Sequence, residues 1–434
     1  MPDAEVSQQM REDWDRRARE DARYYVAFGR REQTAEEFFA TATEVLHAIR
    51  FELRRFPPST DPSSLAALEI GCGPGRLLVP LSRVFGRIVG VDVSLEMVEM
   101  ARRNLQGIPN ALAEPTSGSD LAAFHDESFD FCYSYAVFQH IPSREVVLSY
   151  LREARRVLKI GGILKCQFNG LPEAGSRSAD TWSGVRFRPQ DIREFCREQD
   201  LQLLLLEGAN TLNMWIAARK RPQGWSRGLR PPPGAHLLRI GNTYSTDLVV
   251  PASGRFSSAS LWVQELSADA DLNNLEVEIA GRREAPCYIG NEPWKVPAQV
   301  NVFLPAGAAT GPVAARLWML GEPVSDFARL RIIPPPPAAP RLLSVTDVVN
   351  LLSEARIETR SIKVNVEEVG ENPALSADID GLELRDLDIL CVDPLPHRYE
   401  ISIEVPEEIP PGPHRFNVRL RDRAFAPVPI EIVE

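Results

Sequence analysis

The stretch that most constrains this chain is LAALEIGCGPGRLLVPLSRVFG, residues 65–86. An apolar run reads as a buried strand, glycines follow at positions 71, 73 and 75, and the apolar spacing then becomes helical. A backbone that bare between a strand and a helix marks the ligand-binding corner of an open α/β sheet. A second strand, RIVGVD, ends at Asp92, and SLEMVEMARRNL continues as a helix that Ser94 can cap, with Glu96 in its first turn. These units predict a doubly wound, Rossmann-like α/β domain.

The loop is unsuited to a dinucleotide. In G-x-G-x-x-G the third glycine would fall at position 76, which is Arg76. Pro74 removes one N–H from any phosphate cradle, and Glu69 would repel a pyrophosphate. The same carboxylate suits a ligand carrying an ammonium group.

At 434 residues the chain is too long for one ordinary core, and two or three domains are expected. A net charge of −11 argues against nucleic-acid binding through a general basic surface. No stretch approaches a transmembrane helix in length, and the polar N-terminus MPDAEVSQQMREDWDRRARED has no apolar signal-peptide region. Cys72, Cys132, Cys166, Cys196, Cys287 and Cys391 are scattered without a CxxC pair. Buried free thiols in a reducing, cytoplasmic setting are expected, with no disulfide framework and no metal site.

Proline divides the chain. Residues 1–222 hold 12 of the 36 prolines and residues 223–434 hold 24. The first part alternates strand and helix patterns; the second has short strand-like runs between Pro and Gly turns, as in an all-β region. KRPQGWSRGLRPPPGAH, residues 220–236, reads as a stiff connector. The second part repeats itself. Pro305, Gly311 and Pro312 recur 101 positions later as Pro406, Gly412 and Pro413, and Gly281 recurs at Gly381. A β-sandwich unit of about 100 residues is predicted. IIPPPPAAP, residues 332–340, separates the copies. The expected division is 1–222, 235–335 and 340–434. The two sandwiches resemble bacterial Ig-like or TIG-like modules and are expected to bind a protein or glycan partner, or to mediate self-association.

The first part resembles the class I S-adenosylmethionine (SAM)-dependent methyltransferases over roughly residues 10–220. The E-x-G-x-G-x-G pattern from Glu69, VGVD at 89–92, GSDLAAFHDESFDFCYSYAVFQHIP at 118–142 and RRVLKIGGILKCQF at 155–168 match the family's motifs in order. The resemblance implies SAM as cofactor and a set of binding residues: Glu69, Gly71, Cys72, Gly73, Gly75, Asp92, Val93, Met97, Asp120, Leu121, Tyr135 and Ala136. It puts Gly71 and Gly73 at the methionine part, Asp92 at the ribose hydroxyls, Met97 against the adenine, and Asp120 with the Leu121 backbone at its amine edge. Tyr135 and Ala136 would line the methionine end. Asp126 and Glu127 are alternatives to Asp120, although DESFD reads as the turn into strand four.

Methyl transfer from a sulfonium is an in-line displacement, so alignment and water exclusion are the main demands on the protein. Where the acceptor loses a proton, His140 in FQHIP is the candidate base; its other reading is a ring that fixes the loop. DWDRRAREDARYYVAFG, with Trp14, Tyr24 and Tyr25, is expected to form a lid or to pack as an amphipathic helix, and EFFATATEVLHAIRFEL a helix covering the core. A polar flap and helix follow strand five, with Trp182, Arg186 and Arg188 as acceptor contacts, and LNMWIAARK reads as the last strand. The expected activity is methyl transfer to a small-molecule, glycan or lipid acceptor. The rival is a non-catalytic SAM-binding protein whose sandwiches carry the function.

Overall fold

The computed structural model describes residues 2–27, 31–172, 180–232, 234–351, 353 and 355–433. Most of the expected polar flap, residues 173–179, lies outside these. The chain forms two compact units, Met1–Glu20 with Phe39–Pro335 and Asp21–Phe38 with Pro336–Glu434. The division falls inside the first helix, α1 (Pro2–Ala27), where Asp21 leaves helical geometry (φ −165°, ψ 85°). The Asp21 carboxylate accepts from the Tyr24 N–H at 3.0 Å, the bond an N-cap makes, so the helix restarts there.

In the first unit β1 (Ala66–Ile70), β2 (Arg87–Asp92), β3 (Ala111–Pro115), β4 (Phe129–Ser134) and β5 (Leu158–Phe168) pair in parallel. Two further strands, β6 (Leu201–Glu207) and β7 (Met214–Lys220), run antiparallel to their neighbours, giving the order β3-β2-β1-β4-β5-β7-β6. After α2 (Ala35–Ala40), which runs across the division between the units, helices cover both faces: α3 (Thr43–Glu52), α4 (Leu78–Leu81) and α5 (Leu95–Asn104), then α6 (Arg144–Val157) and α7 (Pro189–Glu198). Alternate residues explain the two cores. Leu68, Ile70, Cys132 and Leu164 meet Val147, Leu151 and Ile192 on one face; Ala67, Phe131, Tyr133 and Ile163 meet Ile49, Leu78 and Ala101 on the other. Strands buried on both sides must be apolar throughout, as the sequence shows.

Two expected helices differ. EFFATATEVLHAIRFEL splits into α2 and α3. RLLVPLSRVFG yields only the single turn of α4, because Pro80 has no N–H to extend the ladder. In contrast, Ser94 caps α5 as expected, its Oγ accepting from the Met97 N–H at 3.1 Å. Such a cap contributes about 1 kcal/mol.

LNMWIAARK, now β7, does not end the sheet. Beyond it lies β6, which pairs with the strand Tyr288–Gly290 through Tyr288 and Leu205, and the Leu206 N–H donates to the Cys287 carbonyl at 2.8 Å. The sheet then runs on through Ala298–Phe303, Ser258–Gln264 and His236–Asn242 to eleven strands. Residues 235–335 therefore share a compact unit with the α/β part. The reason is chemical as well as topological. Lys165 of β5 donates to Glu52 at 2.9 Å, and Arg55 bridges Glu52 (2.5 Å) and Glu292 (2.8 Å). Arg219 of β7 lies 3.5 Å from Glu292 and donates to the Arg55 carbonyl at 3.0 Å. All five side chains are at most 10% exposed. Buried charges of this kind are tolerated only with partners in place, so the network fixes the register of the first β segment on the α/β sheet.

The internal repeat is structural. In the first copy the second sheet contains Leu275–Ile279, Arg282–Glu284, Gly311–Met319, Ala328–Ile333 and Val249–Pro251. The second copy repeats this order with Leu375–Ile379, Leu382–Glu383, Gly412–Leu420, Val428–Ile432 and Arg356–Ile357. Its other sheet is Arg341–Asp347, Ser361–Glu367, Arg398–Glu404 and Asp388–Asp393. Ile362, Val364 and Ile401 from that sheet share one core with Ile379, Phe416 and Ile430. Both copies are thus two-sheet, all-β structures. Gly281 (φ 76°) and Gly381 (φ 89°) occupy equivalent hairpins, a left-handed geometry that favours glycine.

Candidate functional site

The loop after β1 takes the shape the glycines allow. Gly71, Gly73 and Gly75 have φ of 76°, 51° and 85°. A Cβ on Gly71 would meet Val137 Cγ2 at 2.2 Å, so this glycine is required for space as well as for conformation. Gly71 and Cys72 donate their N–H groups to the Val91 carbonyl at 2.8 and 3.0 Å. The loop is thereby folded back onto the end of β2.

Asp92 ends β2 inside this crevice and is only 9% exposed. Its Oδ2 accepts from the Gly73 N–H at 2.8 Å and its Oδ1 from the Ser94 N–H at 2.9 Å. Burial nevertheless pushes its carboxyl up to about 6. Glu69 is more strongly affected. Burial raises it to about 8, against the opposing pull of the Tyr133 hydroxyl, which donates to it at 2.9 Å, and of Arg76. Two desolvated carboxyls at one loop are poised to take positive charge or hydroxyl donors.

The remaining expected residues sit around this loop. Val93 offers its carbonyl to Arg11 at 3.2 Å, and Met97 is buried beneath the start of α5. Asp120 lies in a turn after β3, held by the Ser117 hydroxyl (2.8 Å) and the Ala122 N–H (3.0 Å). The Leu121 N–H donates to Glu153 at 3.1 Å. Tyr135 stacks on Trp215 at 5.4 Å with the Arg76 guanidinium 5.3 Å from its ring centroid. Ala136 (φ 55°) donates its N–H to Gln167 at 2.9 Å, which holds the turn after β4 open beside Gly71. Asp126 pairs with Arg156 at 2.7 Å and Glu127 has φ 54°, both in the turn before β4.

The first part of α1 covers the crevice. Arg11 donates to the carbonyls of Val93 and Thr116, and Asp15 accepts from Ser94 Oγ at 2.6 Å and from the Glu96 N–H at 3.2 Å. Arg17 donates to the Thr181 carbonyl and hydroxyl, both at 3.0 Å, while Thr181 donates to Asp13 at 2.6 Å. Trp14 meets His140 edge-on at 5.5 Å, and Arg17 lies 4.8 Å from the Trp14 ring and 5.3 Å from that of Trp182. Of the three expected aromatics, Trp14 belongs to the first unit and Tyr24 and Tyr25 to the second. Arg11, Asp13, Asp15 and Thr181 are not among the residues expected from the sequence; the dense charge of DWDRRARED, residues 13–21, was a signal for Asp13 and Asp15 alone.

His140 is wedged between Trp14 and Trp182. Its Nδ1 donates to the Trp182 carbonyl at 2.8 Å and its Nε2 faces the Gln139 amide at 3.3 Å. Burial pushes the ring down to about 4, so it is neutral at pH 7. Arg186 donates to the Pro172 carbonyl at 2.5 Å and Arg188 pairs with Asp191 at 2.9 Å, opening α7.

Three buried polar atoms at this site have no protein partner: Ser7 Oγ, Arg76 Nε and Gln139 Oε1. Ser7 lies against Gly118, near Val93; Arg76 follows the glycine loop; Gln139 adjoins His140. Orphaned groups around two desolvated carboxyls fit a polar, positively charged ligand such as SAM.

Comparison with known proteins agrees with this geometry. Residues 68–166 match the family model described as a methyltransferase domain. An uncharacterized 37.1 kDa protein of a Streptomyces fradiae transposon is 38% identical over 102 residues, which are 23% of this chain and 28% of the relative. A ubiquinone biosynthesis O-methyltransferase of Bartonella quintana is 26% identical over 183 residues, covering 40% of this chain and 72% of the relative. The chain spans 28–40% of the length of the first three curated relatives it matches. Among solved structures, a phosphoethanolamine N-methyltransferase of Haemonchus contortus with bound S-adenosylhomocysteine is 15% identical (TM-score 0.38), covering 51% of this chain and 50% of that one. Residues 68–166 are thus similar to a methyltransferase domain, and S-adenosylmethionine is the cofactor that this similarity supports.

Proposed function

We propose that the chain transfers the methyl group of SAM to a small-molecule, glycan or lipid acceptor in the crevice between the glycine loop and α1. The observation that carries this reading is the pairing of Asp92 with the Gly73 N–H at 2.8 Å, inside a loop of left-handed glycines that matches the methyltransferase family. Asp92 holds the ribose hydroxyls, and the Glu69 carboxyl faces the positive charge of the methionine part. Tyr135 and Ala136 flank that part. Bound there, SAM supplies a methyl group already activated by its sulfonium.

The chain's own contribution is to align the acceptor and exclude water. Trp14, Arg17, Trp182 and His140 form a closed cover over the crevice, which raises the weight of every charge beneath it. A neutral His140 whose Nδ1 is held by a carbonyl acts in this reading as the pin of that cover. The second and third segments of the chain are Ig-like sandwiches that engage a protein or glycan. The same closed cover also suits a protein that holds SAM without turnover. Incubation with methyl-labelled SAM and cell extract distinguishes the two. Transfer of label to an extract component, lost in Asp92→Ala, supports the enzyme; tight SAM binding with no transfer across broad acceptor pools refutes it.

A further inference from the structure

A second cavity of about 670 Å³ opens where the α/β sheet passes into the first β segment. Its volume lies within the roughly 300–1,000 Å³ of small-ligand sites. Neither Tyr135 nor any residue of the glycine loop lines it; Lys165, which does, lies 5.2 Å from the ring of Trp215, on which Tyr135 stacks. Its charge is unusual for a chain of net charge −11. Arg54, Lys165 and Lys295 line it, and Arg55 lines a smaller pocket that shares Phe51, Arg54, Tyr288 and Lys295. Arg219 stands behind them against Glu292. Of these five bases Lys165, Arg55 and Arg219 share the buried network with the acids Glu52 and Glu292, and Glu207 is the one further acid in the lining of the larger cavity. Arg55 Nη2 is buried there without any partner. Arg54 and Lys295 have no carboxylate partner among the described residues, and Lys295 spends one bond on the Tyr288 hydroxyl at 2.8 Å.

The uncharged lining is equally specific. One wall is a band of side-chain amides and hydroxyls. Gln299 donates to Asn301 Oδ1 at 2.9 Å, Ser260 donates to the same oxygen at 2.7 Å, and Thr243 and Ser258 lie 2.9 Å apart. Among the described residues this leaves the Gln299 carbonyl and the Asn301 amino group unspent. The other walls carry exposed rings: Phe51 at 40%, Tyr244 at 57% and Phe303 at 37%. Rings that offer a flat apolar face, beside amides with spare hydrogen-bonding capacity, match a pyranose, which has C–H faces and a rim of hydroxyls. The surplus of cations adds a carboxylate or phosphate to that ligand.

We infer that this cavity binds an anionic saccharide, a sugar ring carrying a carboxylate or a phosphate. The site is distinct from the methyl-transfer crevice, and its occupancy does not depend on SAM. Isothermal titration of the full chain with trigalacturonate, glucose 6-phosphate, maltotriose and AMP tests it. At least one of the two anionic sugars binds, maltotriose binds at least tenfold more weakly, and AMP binds more weakly than the better sugar. The double variant Arg54→Ala/Lys295→Ala weakens the anionic sugar at least tenfold, and Gln299→Ala at least threefold, while SAM affinity and the melting temperature stay within error. Equal binding of maltotriose overturns the anionic assignment and tighter binding of AMP overturns the saccharide. Absence of binding by both anionic sugars, or binding that the variants leave unchanged, overturns the site. Because SAM titration of the same preparations is read separately, failure here leaves the methyltransferase reading standing.

Discussion

Glu69 gives the sharpest quantitative test of the cofactor site. Its carboxyl is raised to about 8 by burial, so at pH 7 about nine-tenths of the free protein carries a proton there. Asp92, raised to about 6, carries a proton in about a tenth of molecules at that pH. A ligand bringing an ammonium and a sulfonium to this loop lowers both, because opposite charge favours the ionised form. SAM binding at pH 7 therefore releases about one proton. Titration calorimetry in phosphate, HEPES and Tris reads this directly as the slope of observed heat against buffer ionisation enthalpy. Glu69→Gln, which keeps the shape and a partner for the Tyr133 hydroxyl, reduces the release to about a tenth of a proton. The linkage has a second face. A raised carboxyl stabilises the free protein fully below its unfolded value near 4.5, and that stability is lost as pH rises through 8, so Glu69→Gln flattens the decline between those limits. Buffer-independent heats for the parent protein at pH 7, or an undiminished release in Glu69→Gln, would refute the reasoning.

Other consequences follow from the cover and the buried network. Arg17→Ala loses both bonds to Thr181 and the contacts with Trp14 and Trp182, and S-adenosylhomocysteine dissociation, followed by stopped-flow fluorescence, quickens by roughly 2–30-fold. His140 is depressed to about 4, so its contribution to stability is complete above about 6.5 and is lost as pH falls towards 4; urea unfolding at pH 7 and pH 5 shows a gap that His140→Gln narrows. Glu292→Ala leaves Arg55 and Arg219 short of a buried partner and lowers unfolding free energy by about 3–5 kcal/mol in chemical denaturation, whereas a surface pair such as Arg102–Glu114 contributes at most about 1 kcal/mol.

What the sequence disclosed and what it hid have physical causes. The glycine loop, the end of β2 at Asp92 and the Ser94 cap are set by local chemistry, and each was legible. So was the internal repeat, because a left-handed hairpin glycine and a Gly-Pro strand start recur at fixed spacing. The closure of RLLVPLSRVFG to one helical turn was hidden by apolar spacing that outweighed Pro80. The continuation of the sheet through β6 into Tyr288–Gly290 was not readable, since a three-residue strand has no pattern and the pairing is non-local. The charges that secure it, from Glu52 to Glu292, lie 240 positions apart and resemble surface residues until the fold buries them. The Trp14–His140–Trp182 cover similarly joins three distant segments. Of the residues named by the resemblance, Asp92 accepts from the Gly73 N–H of the glycine loop, and the Leu121 N–H donates to Glu153, a partner supplied by α6 that no local pattern discloses.

The most direct measurement is a crystal structure of the full chain with S-adenosylhomocysteine. The account predicts the ligand beneath α1, its ribose hydroxyls on Asp92 and its amino group on the Glu69 side of the Gly71–Gly75 loop. Density for the ligand anywhere else, with Asp92 still bound only to Gly73 and Ser94, would contradict it.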